Sequence, residues 1–304
     1  MQGLIIENIS NLYKIKTKKE TYEANARGKF KKEEITPVVG DKVEIQILDE
    51  VNKKAVIEEI QERTTYIKRP KMSNITQLVL VVSSKNPKPD LLLLDKQLAF
   101  AEFLGIKAII VLNKTDLDKK KEFEKIKEVY QNIGYTVIET IAKDLEDIPE
   151  KSEIRSIGIH NLEKNLKGNI NAFSGNSGVG KSTLINAIFK DTITQEGEIS
   201  QRNKKGKNTT TSTKLYEIDE NTYIADTPGF STFDISEIEY RELDKYFKEF
   251  KPLLDDCEFV GCTHIKEENC GIKQAWQQGK IDNGRYERFC KIYEELKEKD
   301  KYKY

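Results

Sequence analysis

The sequence predicts a multidomain chain: a small all-β barrel, an α/β domain on a mainly parallel sheet, and a short helical C-terminal segment around a cysteine–histidine cluster. Three observations predict it. Up to about residue 70, apolar residues alternate with polar ones in short runs separated by Lys-, Gly- and Asn-containing turns, the period of half-buried strands. From Ile75 the alternation gives way to continuous apolar runs, Leu78 to Val82 and Ala108 to Leu112, with a helical pattern between them. Such runs belong to strands covered on both faces. Beyond residue 234, three of the four cysteines and one of the two histidines fall within fourteen residues. The domains are accordingly 1–70, 71–233 and 234–304, and 304 residues suffice for two or three of them.

In the first domain Tyr13, Ile15 and Thr17 alternate with lysines. Tyr22, Ala24 and Ala26 alternate with polar residues, Val43, Ile45 and Ile47 do so after the Gly40-Asp41 turn, and Val56 and Ile57 begin a further run. An OB-type barrel (OB-fold) fits the size, and such barrels often bind RNA. Periodicity alone does not separate it from an SH3-like barrel. Pro70 closes the segment.

Charge excludes one class of partner binding. The 51 Lys and Arg balance 51 Asp and Glu, which argues against holding nucleic acid by overall charge. Residues 1–72 carry 15 basic against 12 acidic side chains, and residues 234–304 carry 14 against 17. Clusters at Lys14, Lys16, Lys18 and Lys19, at Lys29, Lys31 and Lys32, and at Arg202, Lys204, Lys205 and Lys207 could meet phosphates. Each alone is more simply a solvated face. No apolar run approaches the roughly 20 residues of a membrane span, and the N-terminus lacks a basic patch followed by an apolar stretch. A cytoplasmic protein without a membrane partner is expected.

In the α/β domain, Leu78 to Val82 is a buried strand, and Leu94, Leu98, Ala101 and Phe103 mark the inward face of the next helix. The second strand ends at Asn113-Lys114-Thr115-Asp116, and ligands of such sheets sit at the carboxyl ends of strands. N-K-x-D is the guanine-reading element of GTPases. The Asp116 carboxylate can accept from both N1–H and the 2-amino group of guanine, a donor pair that adenine lacks. Asn113 and Lys114 would brace the loop and cover the base, with Thr115 between them and the carboxylate. Tyr135 to Ile138 reads as the next strand, followed by a loop through Ile141 and Lys143 that only partly matches the usual S-A-[KL] support of the base.

Gly175-Asn176-Ser177-Gly178-Val179-Gly180-Lys181-Ser182 is a P-loop, G-x-x-x-x-G-K-S. A possible buried strand ends at Ser174, and Thr183 to Phe189 carries apolar residues at helical spacing. An accidental glycine-rich surface turn would lack both flanks. The glycines let backbone N–H groups turn toward phosphate oxygens, and the helix N-terminus adds partial positive charge. Lys181 would reach the β- and γ-phosphates, and the Ser182 hydroxyl would hold Mg²⁺. With this loop in the same chain, the four-residue N-K-T-D match becomes informative.

Gly206 to Thr211 is a polar loop without apolar periodicity. A hydroxyl of Thr209, Thr210 or Thr211 would complete the Mg²⁺ shell as in a switch I loop; the sequence does not decide among the three, and Thr210 stands for them as the ligand. Thr222 to Ala225 forms a strand that ends in Asp226-Thr227-Pro228-Gly229, a D-x-x-G element. Asp226 would hold Mg²⁺ through water, and the Gly229 N–H would sense the γ-phosphate. Phe230 follows, where Ras-like chains place a water-orienting glutamine. The base-reading motif precedes the P-loop, whereas in Ras-like chains it comes last. The chain therefore passes from D-x-x-G directly into the C-terminal segment, so movement of that switch is transmitted covalently.

Cys257, Cys262, His264 and Cys270, with Gly261 and Gly271 to let the loop turn, form a closed Cys₃His set of the structural zinc type. Free buried thiols are the competing reading. Cys290 stands twenty residues away, on a helical face with Tyr286, Phe289, Tyr293 and Leu296. His160 has no partner motif.

Barrel, N-K-T-D, G-N-S-G-V-G-K-S, T-T-T, D-T-P-G-F and C-x4-C-x-H-x5-C, in that order, resemble the circularly permuted GTPases, and among them the ribosome small-subunit-dependent GTPase A family. The resemblance spans nearly the whole chain. It implies an OB barrel, a circularly permuted P-loop GTPase domain and a helical zinc-binding domain. It also implies GTP as substrate, Mg²⁺ and Zn²⁺ as cofactors, and a monomer that assists late maturation of the small (30S) ribosomal subunit. By the same resemblance the barrel and zinc domain grip 16S rRNA, the subunit stimulates hydrolysis, and hydrolysis releases the factor. Switch I of the family usually reads G-[RK]-H-T-T, and Asn208 stands at the histidine position. An amide can orient water but cannot act as a general base, so Asn208 and Lys181 are the catalytic candidates. A GTP-gated RNA-binding scaffold that does not hydrolyse GTP is the alternative that Phe230 and Asn208 leave open. A P-loop nucleotide kinase is disfavoured by N-K-T-D and D-T-P-G.

Overall fold

The computed structural model describes residues 1–32, 34–118, 121–142, 149–196, 213–226 and 235–301. Five strands open the chain: β1 (Gln2–Ile9), β2 (Leu12–Lys16), β3 (Thr21–Ala26), β4 (Lys42–Asp49) and β5 (Lys54–Ile60), with one helical turn, α1 (Lys29–Lys32), after β3. The alternating residues are the ones buried: Tyr13 and Ile15, Tyr22 and Ala24, Val43 and Ile45, and Ala55 beside Ile57. β1, which the alternation did not single out, adds Ile5 to the same core. The strand order is β1-β2-β3-β5-β4, with β3 parallel to β5, and β4 returns to β1 through the antiparallel pairs Gln2–Glu44, Gly3–Val43 and Leu4–Lys42. That closure is OB-like, and it decides between the two barrels that periodicity left open.

Pro70 does not end the β-rich region but lies in the turn of a hairpin, β6 (Tyr66–Lys68) and β7 (Lys71–Ser73). The fully buried Asp41 anchors it to the barrel. Its carboxylate accepts from the Val38 N–H (2.8 Å), from Ser73 Oγ (2.6 Å) and from Arg63 Nε and Nη2 (2.7 and 2.8 Å). A buried carboxylate is tolerable only when its lone pairs are satisfied in this way.

The α/β elements follow: β8 (Gln77–Ser83), α2 (Leu91–Leu104), β9 (Lys107–Asn113), α3 (Glu122–Ile133), β10 (Thr136–Thr140), α4 (Pro149–Leu166), β11 (Ile170–Ser174), α5 (Lys181–Glu196), β12 (Lys214–Asp219) and β13 (Thr222–Asp226). Two helices close the chain, α6 (Gly271–Gln277) and α7 (Asn283–Asp300). Every residue of β8 and β11 is buried, as the continuous runs require.

Two compact units interleave along the chain. The first comprises residues 1–78, 159–174 and 182–230, the second 79–158, 175–181 and 231–304. In the first, β13 runs parallel to β11 and antiparallel to β12. β12, which no sequence pattern announced, pairs with β1 at Glu7–Lys214, so the sheet continues into the barrel. Glu7 takes Lys14 at 2.6 Å and Lys214 at 3.5 Å, and Lys16 pairs with Glu217 at 2.8 Å. Two lysines of the basic Lys14–Lys19 run thus have carboxylate partners.

In the second unit β8, β9 and β10 are neighbours, and β9 and β10 pair in parallel from Ile109–Thr136 to Asn113–Thr140. Leu94, Leu98, Phe100 and Ala101 of α2 are buried, while Phe103 is half-buried and packs edge-on against Tyr246 with centroids 5.4 Å apart. On α7 the buried face is Tyr286, Phe289, Ile292, Tyr293 and Leu296, and Cys290 is only partly covered. No helix among the described residues is long and apolar enough to cross a membrane.

Candidate functional site

The P-loop follows β11 and leads into α5, as its sequence context implies. Gly175 and Gly180 have φ of +141° and +103°. A Cβ at Gly175 would stand 2.2 Å from the Val81 carbonyl oxygen, and one at Gly180 would stand 2.3 Å from Asn113 Nδ2. Only glycine meets both the backbone and the space requirement at these positions. Lys181 Nζ donates to the carbonyls of Gly175 (2.6 Å) and Asn176 (2.9 Å), which holds its ammonium against the loop. Burial lowers the Lys181 pKa.

The base-reading loop is tied to the P-loop through side chains. Asn113, buried at the end of β9, donates from Nδ2 to the Val179 carbonyl (2.8 Å). Its Oδ1 accepts from Thr140 Oγ1 and from the Ala142 N–H, both at 3.1 Å. One amide therefore joins the P-loop, the N-K-T-D loop and the segment after β10. Ile141, at the serine position of the usual motif, is buried there, and the neighbouring backbone N–H of Ala142 makes the contact with Asn113. Lys114, in the left-handed region at φ +63°, donates to the Gly178 carbonyl at 2.7 Å and to that of Asn86. Thr115 and Asp116 follow in a 3₁₀ turn. The half-buried Asp116 carboxylate makes no hydrogen bond or ion pair among the described residues, and both its oxygens can accept.

A third loop completes the frame, one that the sequence motifs did not single out. Between β8 and α2, Ser83 Oγ donates to the Pro87 carbonyl (2.7 Å) and Ser84 Oγ to the Lys114 carbonyl (2.6 Å). Asp90 caps α2 by accepting from the Leu93 N–H (2.9 Å), and its other oxygen accepts from Asn176 Nδ2 of the P-loop (3.0 Å). An Asp before the apolar run Leu91–Leu94 is a legible helix-start signal, but its reach to the P-loop is not. Ser182 and Thr183 are exposed in the first turn of α5. Asn208, the Thr209–Thr211 run, Gly229, Phe230, Lys143 and the Asp226 side chain lie outside the described residues. The structure carries Asp226 only as the last residue of β13.

The four predicted ligands of the C-terminal segment come together. One donor atom from each of Cys257, Cys262, His264 and Cys270 lies within 4.8 Å of the others. Cys257 Sγ is 3.9 Å from Cys270 Sγ and 3.6 Å from His264 Nδ1, and Nδ1 is 3.3 Å from Cys270 Sγ. A tetrahedron with zinc–ligand bonds of about 2.0–2.3 Å has edges of about 3.6–3.8 Å. The donor set fits zinc in both type and size. Burial, with the neighbouring Cys270 thiol, pushes the Cys262 thiol up to about 12; a bound cation would oppose that rise. His264 adopts φ +60° and faces the sulfurs with Nδ1, while Nε2 lies 3.2 Å from Asp244 Oδ2. Tyr286 Oη donates to the His264 carbonyl (2.6 Å). The carboxylate at Nε2 fixes the tautomer that leaves Nδ1 free to ligate. Asp244 carried no sequence signal. Cys290 stays outside the cluster.

The C-terminal segment is clamped to α2. Asp95, fully buried on that helix, accepts from Tyr130 Oη (2.5 Å), pairs with Arg285 at 2.6 Å and also takes Arg288 Nε. Arg285 turns its other edge to Glu249, with Nε–Oε1 at 2.7 Å and Nη2–Oε2 at 2.9 Å, and lies over the Phe247 ring at 4.4 Å. The same helix thus touches the P-loop at Asp90 and the C-terminal segment at Asp95.

Comparison with known proteins agrees with these elements. The family model described as RsgA GTPase matches residues 60–236, and that described as RsgA N-terminal domain matches residues 2–57. "Small ribosomal subunit biogenesis GTPase RsgA" of Ruminiclostridium cellulolyticum is 38% identical over 303 residues, covering 99% of this chain and 95% of that protein. The protein of the same name from Clostridium acetobutylicum is 40% identical over 303 residues, with full coverage of both. Among solved structures, YjeQ from Thermotoga maritima superposes with a TM-score of 0.81 at 33% identity, covering 97% of this chain and 98% of that one. YloQ, described as a circularly permuted GTPase, superposes with a TM-score of 0.78 at 32% identity, covering 98% and 95%.

Proposed function

The chain belongs to the RsgA GTPase family, and from that membership we propose that it hydrolyses GTP in the biogenesis of the small ribosomal subunit through the site described above. The observation that carries this reading is Asn113, whose single amide ties the base-reading loop to the P-loop. A nucleotide spanning both loops meets a frame already set, which lowers the ordering cost of binding. In this reading Asp116 accepts from guanine N1–H and the 2-amino group, and Asn113, Lys114 and Thr115 hold that loop. Backbone N–H groups of Gly175 to Ser182, with Thr183 beyond, surround the phosphates, and Lys181 places its charge on the β- and γ-oxygens.

Ser182 offers a hard oxygen for Mg²⁺, together with Thr210 and, through water, Asp226. The ion, when bound, neutralises charge on the β- and γ-phosphates. Gly229 senses the γ-phosphate, and Asn208 orients the attacking water, since Phe230 cannot. Cys257, Cys262, His264 and Cys270 hold a structural zinc, a role supported by the closed donor set and the Asp244 contact. A barrel, a GTPase domain and a C-terminal segment remain our reading of the domains, the first two supported by the family matches at 2–57 and 60–236, with the boundary at residue 70 falling inside the β6–β7 hairpin.

The finer steps rest on the same proposal. The protein acts as a cytoplasmic monomer, and its OB-like barrel contacts 16S rRNA. Subunit binding orders switch I and accelerates hydrolysis, and hydrolysis releases the factor. Turnover of GTP with and without purified small subunits tests this. Stimulation of about 10-fold or more, the scale of a positioned orienting group, is the expected result. Equal turnover in both conditions would contradict subunit-coupled hydrolysis.

A further inference from the structure

Cys257 and Cys262 close a six-residue loop whose tip is apolar and points to solvent. Phe259 is 56% exposed and Val260 fully so, and among the described residues of 235–301 they are the exposed large hydrophobic side chains. Burial in the local core accounts for neither. The loop is held at its base. Its two cysteines sit in the ligand cluster, the Cys262 N–H donates to the Phe259 carbonyl (3.3 Å), and the Glu258 N–H donates to the Asn269 carbonyl (3.2 Å). Asn269 Nδ2 returns a bond to Glu258 Oε2 (2.6 Å). An apolar tip on a braced loop loses little conformational freedom on docking, and aromatic side chains dominate such contacts.

The rim identifies the partner. Asp255, Asp256, Glu258 and Glu268 are exposed around the loop, against two exposed lysines, Lys266 and Lys251, the second of which is paired with Glu102 at 2.7 Å. The Glu258–Asn269 pairing brings Asn269, and with it the adjoining Glu268 backbone, beside the loop. Four carboxylates repel a phosphate backbone and attract a basic surface. We propose that the Phe259–Val260 tip docks into an apolar recess on a basic protein of the small ribosomal subunit. It does not contact rRNA, unlike the grip on rRNA that the family resemblance assigns to this domain. The proposal rests on the reading that this chain binds the subunit.

The test uses the full chain, a non-hydrolysable GTP analogue and purified small subunits. A photo-crosslinking residue, Val260→p-benzoylphenylalanine, is expected to form an adduct with a Lys- and Arg-rich subunit protein. An adduct with rRNA alone, or none while the chain still co-sediments, overturns the proposal. Failure of the unaltered chain to co-sediment overturns the subunit reading itself, and the tip assignment with it. The pair Phe259→Ser and Val260→Ser should weaken co-sedimentation by about tenfold, with zinc content and subunit-free GTP turnover unchanged. Asp255→Lys with Glu268→Lys discriminates by sign: binding weakens against a basic protein and tightens against RNA. Tightening would sink the idea.

Discussion

Replacing Asn113 with alanine removes three hydrogen bonds at once: Nδ2 to the Val179 carbonyl at 2.8 Å, and the two that Oδ1 accepts at 3.1 Å from Thr140 and Ala142. Each such bond contributes about 1 kcal/mol net, so about 3 kcal/mol of loop-to-loop coupling is at stake. If that coupling preorganises the nucleotide site, its loss appears in affinity, and 1.4 kcal/mol per tenfold makes it about 100-fold. GTP and GDP should weaken together, since the bonds lie behind the base and the phosphate loop rather than at the γ-phosphate. The assay is equilibrium titration with a fluorescent GDP analogue, run beside thermal unfolding of the same preparation. GDP affinity within about threefold of the unaltered chain, accompanied by a lower unfolding midpoint, would refute the reasoning. The bonds would then stabilise the domain without shaping the site.

Other outcomes follow from the metal centre, the clamp and switch I. The purified chain should hold about one zinc, and Cys262→Ser should lower that content while leaving GTP binding largely intact. Zinc retention by Cys262→Ser, with loss in Cys290→Ser, would reassign the fourth ligand. Asp244→Ala should release zinc to a chelator some 10–100-fold more readily, the range for groups that orient a ligating histidine; unchanged release would make the 3.2 Å contact with His264 incidental. Arg285→Met leaves Glu249 without its buried partner and Asp95 with Arg288 as its remaining cation beside the Tyr130 hydroxyl. It should cost about 3–5 kcal/mol, measured as faster proteolysis of the C-terminal segment, and unaltered proteolysis would count against the clamp. Asn208→Ala should reduce subunit-stimulated turnover about 10-fold or more without changing nucleotide affinity. Asn208→His should preserve or raise it, and unchanged turnover in Asn208→Ala would move catalysis to rRNA or backbone groups.

What the sequence revealed, and what it hid, divide on physical lines. Buried strands and anion-binding turns leave local signatures, so β8, β9, β11 and the P-loop were legible from apolar runs and glycine spacing. The Cys₃His set was legible because ligand chemistry admits few residue types. β12 was not, because Lys214-Leu215-Tyr216-Glu217 buries one side chain, Leu215, and takes its place by pairing with β1 and β13 far away in sequence. Asp90, Asp95, Asp244 and Arg285 were missed for the same reason: a charged residue becomes structural through partners that only folding brings near. Arg285 lies on the polar pattern of a helix and yet is fully buried, since two carboxylates and an aromatic face receive it. The OB assignment needed strand order, which periodicity does not encode.

In the proposed function, this permuted chain reads guanine through Asp116 in a loop fastened to the P-loop. Competition of GTP against XTP for the Asp116→Asn chain tests it most directly. An amide at 116 can donate to the C2 oxygen of xanthine but no longer accepts both guanine donors. Preference is expected to move from GTP toward XTP, with overall XTP affinity near that of the unaltered chain for GTP. Lys181→Ala, measured alongside, should weaken both nucleotides without changing the choice of base. An Asp116→Asn chain that keeps its ordinary preference for GTP would contradict the account.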